Sequence, residues 1–219
     1  GEKTFFMPFN QGSNGAGEVG GAGNPQRADD EYVTSYLWKE VLQRDMLLAI
    51  LQRYIMRQEE EKISIIKDKH GHEKEISNSS VKIIFPRYHQ LDVVEKLIHD
   101  TEDKGSGNNY LIQHSAGSGK SNSIAWLTYR LSSLHDKENR HIFKGVFVVT
   151  DRRVLNRQLQ DTILGFEHVE GTVSTITEKD ANASQKLRDA INAAHTGIVI
   201  TTLQRFPQIY DQITSHSGS

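Results

Sequence analysis

The chain contains no cysteine. That excludes a disulfide scaffold, a zinc site built on thiolates and a cysteine nucleophile. It also has no apolar run near the roughly 18 residues that would cross a bilayer as a helix. The N-terminal residues lack the basic-then-apolar pattern of a secretory signal. Charge of one sign is not in excess either: 26 Lys and Arg stand against 28 Asp and Glu, a formal net charge of −2. A balance so close to neutral argues against a bulk nucleic-acid glue and leaves room for a local basic track. Together these absences predict a soluble intracellular protein with no membrane partner. At 219 residues there is room for one large domain, or for one domain with an appendage.

What is present changes in texture along the chain. Residues 10–31 are rich in glycine and show no helix or strand periodicity, the composition of a flexible loop or linker. From Thr34 to Ile55, Leu37, Val41, Leu42, Leu47, Leu48, Leu51 and Ile55 recur at spacings of three and four, which predicts an amphipathic helix pair. Thr34 or Ser35 is placed to cap the first helix and Asp45 the second. The run EEEK at 59–62 reads as a solvated helix end, and 67–80 as an exposed linker or ribbon. His70 and His72 within it lack the carboxylate or thiolate companions of a metal site.

After Val81, short β-branched runs alternate with amphipathic stretches. The predicted strands are VKIIF (81–85), NYLIQH (109–114), GVFVVT (145–150), a short one near 172–177, and GIVITT (197–202). Predicted helices cover 88–103, 120–134, 153–164 and 181–194. Strands that are apolar throughout, alternating with helices, indicate a parallel sheet covered by helices on both faces. The expected architecture is therefore α/β: a mainly helical connector over 1–80, then a lobe with a parallel sheet over 81–219. Its binding crevice would lie at the C-terminal ends of the strands.

The most specific feature is HSAGSGKS, His114 to Ser121, between a predicted strand and a predicted helix. Gly117 and Gly119 allow the backbone to approach an anion. The amides of Gly117, Ser118, Gly119 and Lys120 can form a nest for the β-phosphate, with Ala116 leading into it, reinforced by the positive end of the helix that follows. Lys120 is placed to bridge β- and γ-phosphates, and the Ser121 hydroxyl to ligate Mg²⁺, so ATP with Mg²⁺ is the expected cofactor. The generic pattern asks for glycine six residues before the lysine, and this chain has His114 there. Adenylate- and guanylate-type kinases usually keep that glycine, whereas many superfamily 2 helicases do not, which points toward a motor.

Neighbouring segments suit a motor. Gln90, in FPRYHQLDVVEKL (85–97), has an amide that can match the donor–acceptor edge of adenine, with Arg87 beside it. Thr150, Arg152 and Arg153 follow one apolar strand, and Thr201, Thr202 and Gln204 close another. Hydroxyls, amides and guanidiniums at strand ends can hold a nucleic-acid backbone by its phosphates.

The segments FNQGSNGAG, NP, TSYLWKEVLQRDMLL, FPRYHQLDVV, QHSAGSGKS, VVTDRRVLNRQL and TTLQRF, in this order, resemble the motor (R) subunit of type I restriction enzymes, from about Phe5 to Phe206. The resemblance implies an N-terminal nuclease region followed by two RecA-like motor domains. It also implies ATP-driven translocation of double-stranded DNA, cleavage far from the recognition site, and assembly with modification (methyltransferase) and specificity subunits in a bacterial or archaeal cytoplasm. In that family an Asp-Glu-Ala-His box follows shortly after the segment matching TTLQRF, and this chain has none. The nuclease carboxylate-and-lysine cluster is likewise not among its residues. The expectation is a piece of a longer protein, holding the end of the nuclease region and the first motor lobe, that binds Mg²⁺-ATP without appreciable hydrolysis or cleavage. Another superfamily 2 helicase or DNA remodeller would share the phosphate loop.

Overall fold

The computed structural model describes residues 7–14, 21–28, 31–67, 73–151, 153–166, 172–176, 183–192 and 197–203. For 58–67, 73–80, 153–158, 183–184, 187 and 191–192 it describes the backbone alone. The chain divides into two compact units, Gly1–Val33 with Arg87–Ser219, and Thr34–Pro86.

The Thr34–Pro86 unit begins with a short helix, α1 (Arg44–Ala49), flanked by π-helical turns at Leu37–Val41 and Ile50–Tyr54. The wide turns show in the i to i+5 bonds from the amide of Leu42 to Leu37 O (2.7 Å) and from Ile55 to Ile50 O (3.1 Å). Neither expected cap acts as one: Tyr36 and Gln43 hold the N-cap positions, with no side-chain cap bond. Val41, Ile50 and Tyr54 are buried, while Trp38, Leu42, Leu48 and Leu51 remain exposed. Next comes an antiparallel ribbon of β1 (Met56–Lys67) and β2 (Glu73–Ile84), in register from Met56↔Ile84 to Lys67↔Glu73. The ribbon overturns two expectations. EEEK belongs to a strand rather than a helix end, and 81–84 pair with Met56–Glu59 rather than with the parallel sheet. Ile63, Ile65 and Ile66 just beyond the glutamates supply the β-branched residues that favour a strand.

The other unit is α/β. Its elements are α2 (Tyr88–Lys104), α3 (Lys120–Ser132), β3 (Gly145–Thr150), α4 (Arg153–Leu164), β4 (Val173–Thr175), α5 (Ala183–Asn192) and β5 (Gly197–Thr202). The strands form a parallel sheet in the order β3-β5-β4, with Gly145↔Gly197 through Thr150↔Thr202 on one side of β5 and Val173↔Ile198 through Thr175↔Ile200 on the other. This is the fold class expected, and it is consistent with a RecA-like lobe. Ile198, Val199 and Ile200 of the central strand are fully buried, which explains an apolar run without alternation. Ile176 and Val199 form a core cluster with Phe147 and Ala190 packed on it.

Gly197 starts β5 at φ +65°, where a β-carbon would stand 2.6 Å from Thr172 O. The amide of Ile198 donates to that same oxygen (3.0 Å), so the close approach is part of the sheet. Buried Trp126 of α3 meets buried Phe166 beyond α4, ring centres 5.5 Å apart, and the Tyr129 hydroxyl donates to Ile163 O at 2.7 Å. Arg130 of α3 is bonded to Glu95 of α2, both nearly buried. Gly165 ends α4 as expected, its amide closing on Asp161 O at 2.9 Å.

One expected strand is not formed. Residues 109–114 run as irregular chain, with Leu111 95% exposed and Tyr110 and Ile112 half-exposed. A single apolar run needs a neighbour for its amides and carbonyls, and among the described residues none lies beside it. No helix among the described residues is long and apolar enough to cross a membrane.

Candidate phosphate-binding site

The loop from His114 to Gly119 turns directly into α3, with Gly119 as its N-cap. Gly117 and Gly119 hold φ of +73° and +80°. A side chain at 119 would be strained by that angle, and its β-carbon would lie 2.5 Å from Gln90 Nε2. Lys120 and half-buried Ser121 open the helix, beside its free N-terminal amides. The Lys120 ammonium is turned back on the loop, donating to Ser115 O (2.8 Å) and His114 O (3.2 Å).

The first turn of α2 grips the same loop. Gln90 is buried; its Nε2 donates to Gly119 O (2.9 Å) and Ser118 O (3.3 Å), and its Oε1 accepts the Arg87 amide (2.8 Å). Both ends of the amide expected to face adenine are thus engaged by backbone. His89, which sequence reading passed over, places Nε2 3.0 Å from Ser118 O. The His89 and His114 rings meet edge to face, centres 5.0 Å apart. Burial holds the His114 imidazole below its ordinary pKa of 6.5, and His89 and Lys120 push it the same way. Two buried polar atoms here, His114 Nδ1 and Ser118 Oγ, have no hydrogen-bond partner among the described residues. Unsatisfied donors and acceptors beside a nest of glycine amides, with a lysine parked on weak neutral acceptors, fit a polyanion with its cation.

The described residues of the glycine-rich segment, 10–14 and 21–28, are tied down by more hydrogen bonds than its composition predicts. Gly12 and Ser13 amides bond to Gly23 O (2.9 Å) and Gly21 O (3.1 Å). The Gln11 amide nitrogen of the main chain donates to Asn24 Oδ1 (2.9 Å), its side chain donates to the Tyr88 hydroxyl (2.7 Å), and Arg27 donates to Gln11 Oε1 (2.9 Å). The Phe9 ring stands edge-on to Tyr88, centres 5.5 Å apart. The segment therefore closes over the start of α2, two residues from Gln90. Polar residues among its glycines (Gln11, Asn24, Arg27) were the available signal for this. An apolar cavity of about 280 Å³ beside the loop is lined by Val94, Leu97, Ile112 and Ile124 together with His114 and Lys120.

Of the other expected residues, Arg87 is exposed at the start of α2, and Ala116 is exposed in the loop. Thr150 is half-buried, its hydroxyl without a hydrogen-bond partner. Thr201 and Thr202 are buried, at 0% and 4% exposure. They close the central strand, paired with Val149 and Thr150 of β3. Arg153 opens α4, with only its backbone described, while Arg152, Gln204, His70 and His72 lie outside the described residues. The loop, Gln90 and Arg87 are thus brought together, and Thr150 ends β3.

A family model described as SWI2/SNF2 ATPase matches residues 89–218. No curated protein matches the chain. No solved structure matches it.

Proposed function

The chain belongs to the SWI2/SNF2 ATPase family, and on that premise we propose that it is the ATP-binding lobe of a DNA translocase, the motor subunit of a type I restriction system. The observation that carries the nucleotide reading is the loop itself: two glycines at positive φ, a helix N-terminus, and a lysine that donates to carbonyl oxygens of its own loop. The amides of Gly117, Ser118, Gly119 and Lys120, with Ala116 beside them, and the ammonium of Lys120 would hold the phosphates, and the Ser121 hydroxyl would hold Mg²⁺. Bound Mg²⁺-ATP supplies the phosphoanhydride whose cleavage drives such motors. Arg87, exposed beside the loop, remains the candidate for contact with the base or ribose. Thr150, Arg152, Arg153 and Gln204 remain candidates for the DNA backbone.

The order of segments from FNQGSNGAG to TTLQRF supports the restriction reading, with modification and specificity subunits as partners and the bacterial or archaeal cytoplasm as its place. The family match itself favours a second reading, a DNA remodeller or other superfamily 2 motor. Binding of a fluorescent ATP analogue with Mg²⁺ tests the shared part: Lys120→Ala should weaken it at least about tenfold. Undiminished binding in that variant would mean Lys120 is not the phosphate lysine. Translocation by the intact motor only in the presence of modification and specificity subunits supports the first reading; translocation without them supports the second.

A further inference from the structure

We propose that His89 is a positioning residue of the phosphate loop, and that His114, where the generic pattern has glycine, is its buttress. The assignment rests on the nucleotide reading above and deepens it. A carbonyl oxygen can only accept, so the 3.0 Å contact to Ser118 O requires His89 to carry a proton on Nε2. In a trans peptide the carbonyl and the following amide point to opposite sides. Drawing Ser118 O toward α2 therefore turns the Gly119 N–H away from α2, and the hold of Gln90 on Gly119 O does the same for the Lys120 N–H. Those are two of the amides a phosphate would need. Gly119 has the conformational freedom to turn either way, so an external hold on its flanking carbonyl has something to decide. His114 stands at 89° to the His89 ring, against which it limits ring rotation. A glycine at 114 would leave that ring without this contact.

The test uses the whole 219-residue chain. Affinities for ADP with Mg²⁺, and for adenosine, are measured on His89→Gln and His89→Asn. The glutamine amide nitrogen can reach where Nε2 lies; that of the shorter asparagine corresponds to Nδ1 and falls short. His89→Gln should stay within about twofold of the unaltered chain for ADP, and His89→Asn should lose at least about fivefold, with adenosine affinity unchanged in both. Equal loss in both, or loss in neither, overturns the assignment while leaving the nucleotide reading intact. Failure of the unaltered chain to bind ADP overturns both. Nitrogen-15 spectra of the imidazoles give a check that needs no variant: His89 should be protonated at Nε2, and a dominant Nδ1-protonated form would sink the idea.

Discussion

The side-chain amide of Gln90 donates to Gly119 O at 2.9 Å, while its oxygen accepts the Arg87 amide at 2.8 Å. One buried side chain thus joins the start of α2 to the N-cap of α3, and does so at the single glycine whose missing β-carbon makes room for it.

This contact predicts the behaviour of two substitutions. Gln90→Leu keeps the volume and removes both bonds. Gln90→Glu keeps an acceptor for Arg87 but sets a carboxylate against the carbonyl oxygens of Ser118 and Gly119. An unsatisfied buried polar group costs about 1–3 kcal/mol. Nucleotide affinity should therefore fall about tenfold for leucine and further for glutamate, with phosphate-bearing ligands affected and adenosine spared. Titration of ATP, ADP and adenosine against both variants checks this. A change confined to the preference for adenine over guanine would instead show that Gln90 reads the base.

The same residue shows how far sequence carries. That Gln90 matters, and that it lies near the phosphate loop, follows from its place one helix upstream of AGSGKS. Which partner it takes does not, because an amide serves a base edge and a peptide carbonyl equally well. The apolar strands GVFVVT and GIVITT were legible to the residue, since β5 is covered on both faces and carries a continuous hydrophobic signal. NYLIQH carries a similar signal and forms no strand, because pairing depends on a neighbour that periodicity cannot supply. EEEK misleads in the opposite sense: its charges fit any exposed element, and only the partner strand 73–84 decides. The ordering of Gln11 by Tyr88 and Arg27 spans contacts far apart in sequence, beyond the reach of local composition.

His114 gives a pH dependence whose sign can be worked out. Its folded pKa lies below the ordinary 6.5, through burial first and then the charges of His89 and Lys120. Between 6.5 and the folded value the unfolded chain binds more protons, so stability rises with pH across that window. The cost of the neutral, buried ring is absent above 6.5 and accumulates as the pH falls below it. Urea midpoints between about pH 8 and about pH 5 should decline less steeply in His114→Gln than in the unaltered chain. Parallel declines would assign the dependence to other groups. Bound phosphate brings negative charge near the ring and should raise its pKa, so ADP binding below about pH 6.5 should take up protons, measurable by calorimetry in buffers of different ionisation enthalpy.

Gly197 tests the sheet separately from the site. A methyl there meets Thr172 O at 2.6 Å, an oxygen already engaged by the Ile198 amide, and it meets it at φ +65°. Neither backbone can withdraw without parting the start of β5 from the segment leading into β4. Gly105, at φ +74° with nothing within 4 Å of an added β-carbon, carries the backbone strain alone. Gly105→Ala should cost about 1 kcal/mol, and Gly197→Ala about 3 kcal/mol, the excess being steric. For a chain of this size the melting temperature should fall by about 3 °C in the first and about 9 °C in the second. Equal losses would mean that the strand start moves aside at no cost, and that the close approach of Gly197 to Thr172 does not hold the edge of the sheet.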